Sequence, residues 1–144
     1  MGDFPKWQHV LPSLYNGTED HIPTLKEAKA LNRKINKVKY VDDFKNYGEF
    51  DYWATPEEFY THGGDCEDYA IAKYDALLRL GQSDKDMFIV VAKNKKTKLM
   101  HTLLQVKLRG KQYLLDNTDN ILHPLNYLKR FDVQYKINRV GWIR

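Results

Sequence analysis

Between Leu25 and Val38 the apolar positions Leu25, Ala28, Leu31, Ile35 and Val38 recur at three- and four-residue steps, the spacing of one buried helix face. Thr24, with Glu27 three residues on, supplies a capping box, and the pattern predicts a helix to about Lys37 that covers the core. Thr55, Pro56 and Glu58 put an N-cap, an N1 proline and an N3 glutamate in order, which predicts a short second helix ending near His62-Gly63-Gly64. A third helical pattern follows at once. Tyr69, Ala70, Lys73, Leu77 and Leu80 share its inward face, Asp65 with Asp68 caps its start, and Gly81 stops it. Beyond Gly81 the period changes to two. Residues 87–92, 99–108, 112–116 and 133–140 read as strands, with turns at the lysine-rich segment and at Arg109-Gly110, and 124–130 reads as a helical turn or two. Helices first and meandering strands after predict an α+β fold with a mostly antiparallel sheet.

Composition narrows this without changing it. A chain of 144 residues with 42% hydrophobic and 29% charged content suits one globular domain, taken as residues 1–144. No apolar run approaches a membrane span, and no export signal is visible at the start. The net charge of +4 is modest. Lys93, Lys95, Lys96 and Lys98 cluster at a hairpin tip, where a solvated turn explains them better than a nucleic-acid patch. The single cysteine excludes an internal disulfide and a multi-cysteine zinc site, and leaves a buried structural thiol or a reactive one.

That cysteine, Cys66, falls in the first turn of the third helix, where unpaired N–H groups and the helix dipole favour a thiolate. Asp65, Glu67 and Asp68 crowd the same turn, and their like charge opposes that ionisation. A dipole term of about 0.3–1 kcal/mol is too small to offset them. Either a hard cation such as Ca²⁺ sits there, or the acids are ordinary first-turn residues; spacing alone favours the second, because the run supplies too few oxygens.

His101 and Asp116 come from facing strands. If Arg109-Gly110 is a two-residue loop, Leu108 pairs with Lys111, and His101 and Asp116 become diagonal neighbours on one face, within side-chain reach. A carboxylate could then orient the imidazole as base to a cysteine nucleophile. Against this stand a lone, partly buried strand histidine and a plain Asp116-Asn117 turn. His62 and His123 are rival bases that read better as turn and loop residues. The aromatic-rich segment 40–54 leads into the second helix and so runs beside the cysteine, where Trp53 or Tyr52 could donate a hydrogen bond, although packing explains either.

The run GGDCEDYAIAKYDALLRLG resembles the signature of the bacterial transglutaminase-like cysteine peptidases, the LapG-like proteases, and DYWATPEEF, MHTLLQV and YLLDNTDN resemble their flanking blocks. The likeness spans about residues 25–140. It implies a papain/transglutaminase-like fold, the nucleophile helix packed on the sheet, with Cys66 as nucleophile, His101 as base and Asp116 as orienting acid. It also implies a Ca²⁺ site at Asp65, Glu67 and Asp68, a periplasmic location and a role in biofilm release. The implied substrate is a large surface adhesin, cut near its N-terminus at a di-alanine bond. The implied partner is an inner-membrane cyclic di-GMP receptor of the LapD type. The papain-type oxyanion glutamine is missing, Tyr60 standing in that region, so the Cys66 backbone N–H with Trp53 is the expected oxyanion pair. Two other readings keep the same residues: transglutaminase-type amide transfer, and a non-catalytic partner-binding module.

Overall fold

The computed structural model describes residues 10–15, 21–42 and 54–143. Among them are three α-helices, α1 (Leu25–Asn36), α2 (Pro56–His62) and α3 (Cys66–Arg79), followed by a six-stranded sheet. The helix starts are fixed locally. In α1 the Glu27 N–H donates to Thr24 Oγ1 (3.1 Å) and the Thr24 N–H to Glu27 Oε1 (2.9 Å). The same reciprocal box opens α2, between Thr55 and Glu58 (2.9 and 3.2 Å). Each such cap contributes roughly 1 kcal/mol. Gly81, at φ +106°, ends α3 in a Schellman motif, its N–H bonded to Leu78 O (3.0 Å) and that of Gln82 to Leu77 O (2.9 Å).

The link from α2 to α3 is equally constrained. Gly63 has φ +76°, and a Cβ there would stand 2.5 Å from Lys39 O. At Gly64 a Cβ would meet Asp68 Oδ2 at 2.4 Å. Only glycine lets this turn press against both the 39–41 segment and the first turn of α3. The Val41 N–H then bonds Gly64 O (2.8 Å) and the Gly64 N–H bonds Lys39 O (3.2 Å), which anchors Tyr40 beside the start of α3.

The strands are β1 (Met87–Asn94), β2 (Met100–Leu108), β3 (Lys111–Leu115), β4 (Leu122–Pro124), β5 (Phe131–Ile137) and β6 (Trp142–Ile143), in the order β4-β3-β2-β1-β5-β6. All neighbouring pairs are antiparallel. The expected helical turns before β5 form a 3-10 segment, Leu125–Arg130. β4 and β6 were not legible in the sequence: each is a short edge strand, and β4 ends in a proline, so neither carries an alternating run. At the β2–β3 turn Arg109 (φ +50°) and Gly110 (φ +86°) are both left-handed, the mark of a tight two-residue hairpin. Leu108 therefore faces Lys111, in the expected register.

Both sheet faces are covered. On one, Ala70, Ile71, Tyr74 and Leu77 of α3 pack on Ile89, Val91, Leu104 and Val106. On the other, Val90, Ala92, Leu103 and Leu114 are closed by Tyr127 and Phe131. This is why β1 reads as a continuous apolar run. Among the described residues no helix is long and apolar enough to cross a membrane.

Candidate active site

Cys66 is the first residue of α3, delivered there by the Gly63-Gly64 turn. His101 is the second residue of β2 and Asp116 directly follows β3, so the tight hairpin brings them together. His101 Nε2 and Asp116 Oδ1 are 2.6 Å apart. Cys66, His101 and Asp116 all line one cavity of about 460 Å³ at the end of the sheet.

Asp116 is held more firmly than a turn residue needs. Its side chain is 1% exposed. The Tyr127 hydroxyl donates to its Oδ2 (2.8 Å) and the Thr118 N–H to its Oδ1 (3.3 Å). Asn36 Nδ2 ties the same loop to α1 through the carbonyls of Asp116 (3.1 Å) and Asp119 (2.7 Å). Burial pushes the Asp116 carboxyl up, but the His101 hydrogen bond and charge, with Tyr127 and Thr118, outweigh it and hold it at about 2. An ionised carboxylate can only accept, so Nε2 of His101 carries the proton and donates. In the neutral ring the free lone pair is then on Nδ1. Phe131 stacks on the imidazole at 5.9 Å between centroids.

The thiol sits in a less favourable field. Burial pushes Cys66 well up, and the charges of Glu67 and Asp65 add to it, while hydrogen bonds from the Thr102 backbone and hydroxyl pull it down. Among the described residues Sγ is engaged by Glu67 Oε2 (3.9 Å) and by Thr102, not by the imidazole. Strand alternation explains this: Thr102 points toward α3, and His101 beside it points to the opposite face. Cys66 and His101 thus line the same cavity from opposite faces of the strand without touching.

The three acidic residues separate into two roles. Asp68 turns inward, its Oδ1 accepting from the Ala54 N–H (2.9 Å) and its Oδ2 from the Asp65 N–H (3.0 Å). Asp65 and Glu67 adjoin each other: burial pushes Glu67 well up, and a hydrogen bond to Asp65 and the Asp65 charge add to this. Two neighbouring carboxylates of this kind are hard oxygen donors suited to Ca²⁺, yet they supply fewer than the six to eight oxygens the ion takes. Among the described residues no group of three or more His, Cys, Asp or Glu could hold a metal.

Sequence reasoning missed Tyr40, Thr102 and Tyr127. Tyr40 lines the cavity with Cys66 and stacks on Tyr69 at 6.3 Å. Burial, then the charges of Cys66, Asp65 and Glu67, push its hydroxyl up to about 12, so it stays a donor. Tyr40 lies in the aromatic segment expected beside the cysteine and Thr102 in the MHTLLQV block, but no spacing singled out either or Tyr127; their packing marks them. Trp53 and Tyr52 lie outside the described residues. His123 belongs elsewhere, bonded to Asp119 (2.8 Å) and stacked on Tyr127, and the cavity lining does not include His62.

Residues 14–138 match the family described as bacterial transglutaminase-like cysteine proteinase. Among solved structures, calcium-bound LapG of Legionella pneumophila is similar with TM-score 0.73 and 25% identity, over 99% of this chain and 80% of that one. The EGTA-treated form of the same protein gives 0.72 at 25% identity, over 95% and 73%. A putative cysteine protease from Cytophaga hutchinsonii, at TM-score 0.56 and 15% identity over 90% of this chain and 39% of that one, shares the fold. Among curated proteins no sequence matches this chain.

Proposed function

From the chain's membership of the bacterial transglutaminase-like cysteine proteinases, we propose that it is a calcium-dependent endopeptidase working through a Cys66–His101–Asp116 acyl-enzyme. The observation that carries this reading is the 2.6 Å His101–Asp116 pair opening into the cavity that Cys66 lines. Asp116, ionised and accepting from Nε2, fixes the tautomer that leaves Nδ1 as base. Nδ1 takes the Cys66 proton as sulfur attacks the peptide carbonyl, then returns it to the departing amine. Water, deprotonated by the same nitrogen, releases the acyl group from sulfur. The Cys66 backbone N–H and the Tyr40 hydroxyl are the described donors for the oxyanion; Trp53, the sequence-based choice, lies outside the described residues.

Asp65 and Glu67 are the proposed carboxylate ligands for Ca²⁺, with Asp68 shaping the turn behind them. Bound there, the ion supplies the positive charge that two carboxylates beside a thiol require. The calcium-bound LapG structure supports this reading.

The proposed substrate is a large surface adhesin cut at a di-alanine bond near its N-terminus, in the periplasm. Its cleavage would release biofilm, under a LapD-type cyclic di-GMP receptor. The test is incubation of an adhesin fragment with the wild type and with Cys66→Ala, read by mass spectrometry. Two fragments from the wild type alone support hydrolysis; a joined isopeptide would point to amide transfer, and equal cleavage by Cys66→Ala rejects the site.

A further inference from the structure

The lysine cluster, which the sequence treats as a solvated tip, is built into the mouth of the cavity. The β1–β2 turn is rigidly closed: Asn94 Oδ1 accepts from the Lys96 N–H (2.9 Å) and the Thr97 N–H (3.0 Å), and the Lys98 N–H bonds Asn94 O (2.8 Å). The Lys95 N–H then donates to Arg130 O (3.0 Å), fastening the tip to the end of the 3-10 segment. Arg130 in turn lies over the Tyr127 ring, its guanidinium 4.7 Å from the centroid. Tyr127 is the residue that holds Asp116. The basic tip is thus linked through two residues, Arg130 and Tyr127, to the Asp116 carboxylate.

This side of the mouth forms a recess of about 410 Å³ whose lining, among the described residues, includes Lys95, Lys96, Lys129 and Arg130 and no carboxylate. Asn94, Thr97 and Arg130 line both that recess and the cavity over Cys66, so the two make one continuous groove. All four cations are exposed. Leu99 (68% exposed) and Met100 (52%) give the intervening stretch an apolar surface next to His101. The nearest acid on the adjoining strand, Asp132, faces Lys93 across the ladder rather than the recess. Four cations with no carboxylate paired to them among the described residues make a local positive field that selects an acidic ligand.

We propose that this rim is a substrate subsite for Asp and Glu side chains on one side of the bond presented to Cys66, so that the preferred substrate is a polypeptide with an acidic stretch flanking the cleaved position. The proposal rests on the peptidase reading for its substrate class. It predicts binding specificity independent of turnover, so the two fail separately.

The test uses three labelled peptides with a central Ala-Ala pair, carrying three aspartates before it, three after it, or three asparagines in their place. Binding to Cys66→Ala protein is read by fluorescence anisotropy. One of the two aspartate peptides should bind about five-fold or more tighter than the asparagine peptide at about 50 mM salt, with the gain shrinking at about 500 mM as the charges are screened. The exposed triple variant Lys95→Glu, Lys96→Glu, Lys129→Glu, in the same Cys66→Ala background, should abolish or invert that preference while leaving asparagine-peptide affinity unchanged. Equal affinity for all three peptides overturns the proposal. So does an equal gain from both aspartate positions, which would be unspecific attraction, or a preference that survives charge reversal. Absence of cleavage by the wild type, with the binding preference intact, would count against the peptidase reading and leave the subsite standing.

Discussion

His101 Nε2 meets Asp116 Oδ1 at 2.6 Å because a two-residue turn at Arg109-Gly110 lays the end of β3 beside the beginning of β2. The bond assigns the ring's tautomer, and with it the nitrogen that can receive a proton. Asp116→Asn can supply an amide N–H to Nε2 and so stabilise the wrong tautomer. We expect a loss of about 10³–10⁴-fold in kcat with the fold retained, measured on the adhesin fragment. A loss below about ten-fold would remove Asp116 from the mechanism.

The same carboxyl sets an acid limit. Its pKa falls from an ordinary 3.8 to about 2 on folding. A depressed acid stabilises the fold above its unfolded value and loses that contribution as pH falls through the folded one. Wild-type stability from this group is therefore complete above about pH 4 and fades toward pH 2. Urea midpoints across that window should drop more steeply for the wild type than for Asp116→Asn.

Tyr127 donates to Asp116 Oδ2 at 2.8 Å inside the protein. Tyr127→Phe leaves that buried oxygen one donor short, at a cost of about 1–3 kcal/mol in stability. Activity should fall several-fold, and the Asp116 carboxyl, followed by NMR titration, should move upward. An unmoved titration would show that Tyr127 serves packing alone.

Lys73 lies on α3 two turns beyond Cys66 and is 1% exposed. Burial lowers its amine to about 7, against the pull of Asp116 and Asp119. A depressed base costs stability below its folded pKa, and the cost fades as pH rises toward the unfolded 10.5. Wild-type stability should thus climb from about pH 7 to pH 10, and Lys73→Met should be flatter and more stable at neutral pH. Denaturant midpoints at the two ends of that range check both statements.

Calcium should raise the melting temperature of the wild type and not of Asp65→Asn with Glu67→Gln. EGTA should reverse the shift and slow the alkylation of Cys66 by iodoacetamide. The readout is thermal and chemical, so it stands whether or not a substrate is in hand. Equal calcium shifts in the wild type and the double variant would move the ion elsewhere.

Much of the frame was written locally. Thr24 with Glu27, Thr55 with Glu58, and Gly81 each mark a helix end through bonds spanning a few residues, and the structure has all three. The β2–β3 register was legible for the same reason, since a tight turn fixes which residues face each other. The edge strands β4 and β6 were not, because a strand of two or three residues has no period to read.

The sequence by itself determined where the three helices begin, that a cysteine opens the third, and that a two-residue turn at Arg109-Gly110 would put His101 and Asp116 on one sheet face. These follow from backbone dihedrals, capping and alternation, which act over neighbouring residues. Only the tertiary structure decided that Tyr40 stands at the Cys66 side of the cavity and that Thr102, not His101, touches the sulfur. It likewise brought the lysine tip against Arg130 at the cavity mouth. Those relations join positions far apart along the chain, and packing between helix, sheet and loop is the force that sets them.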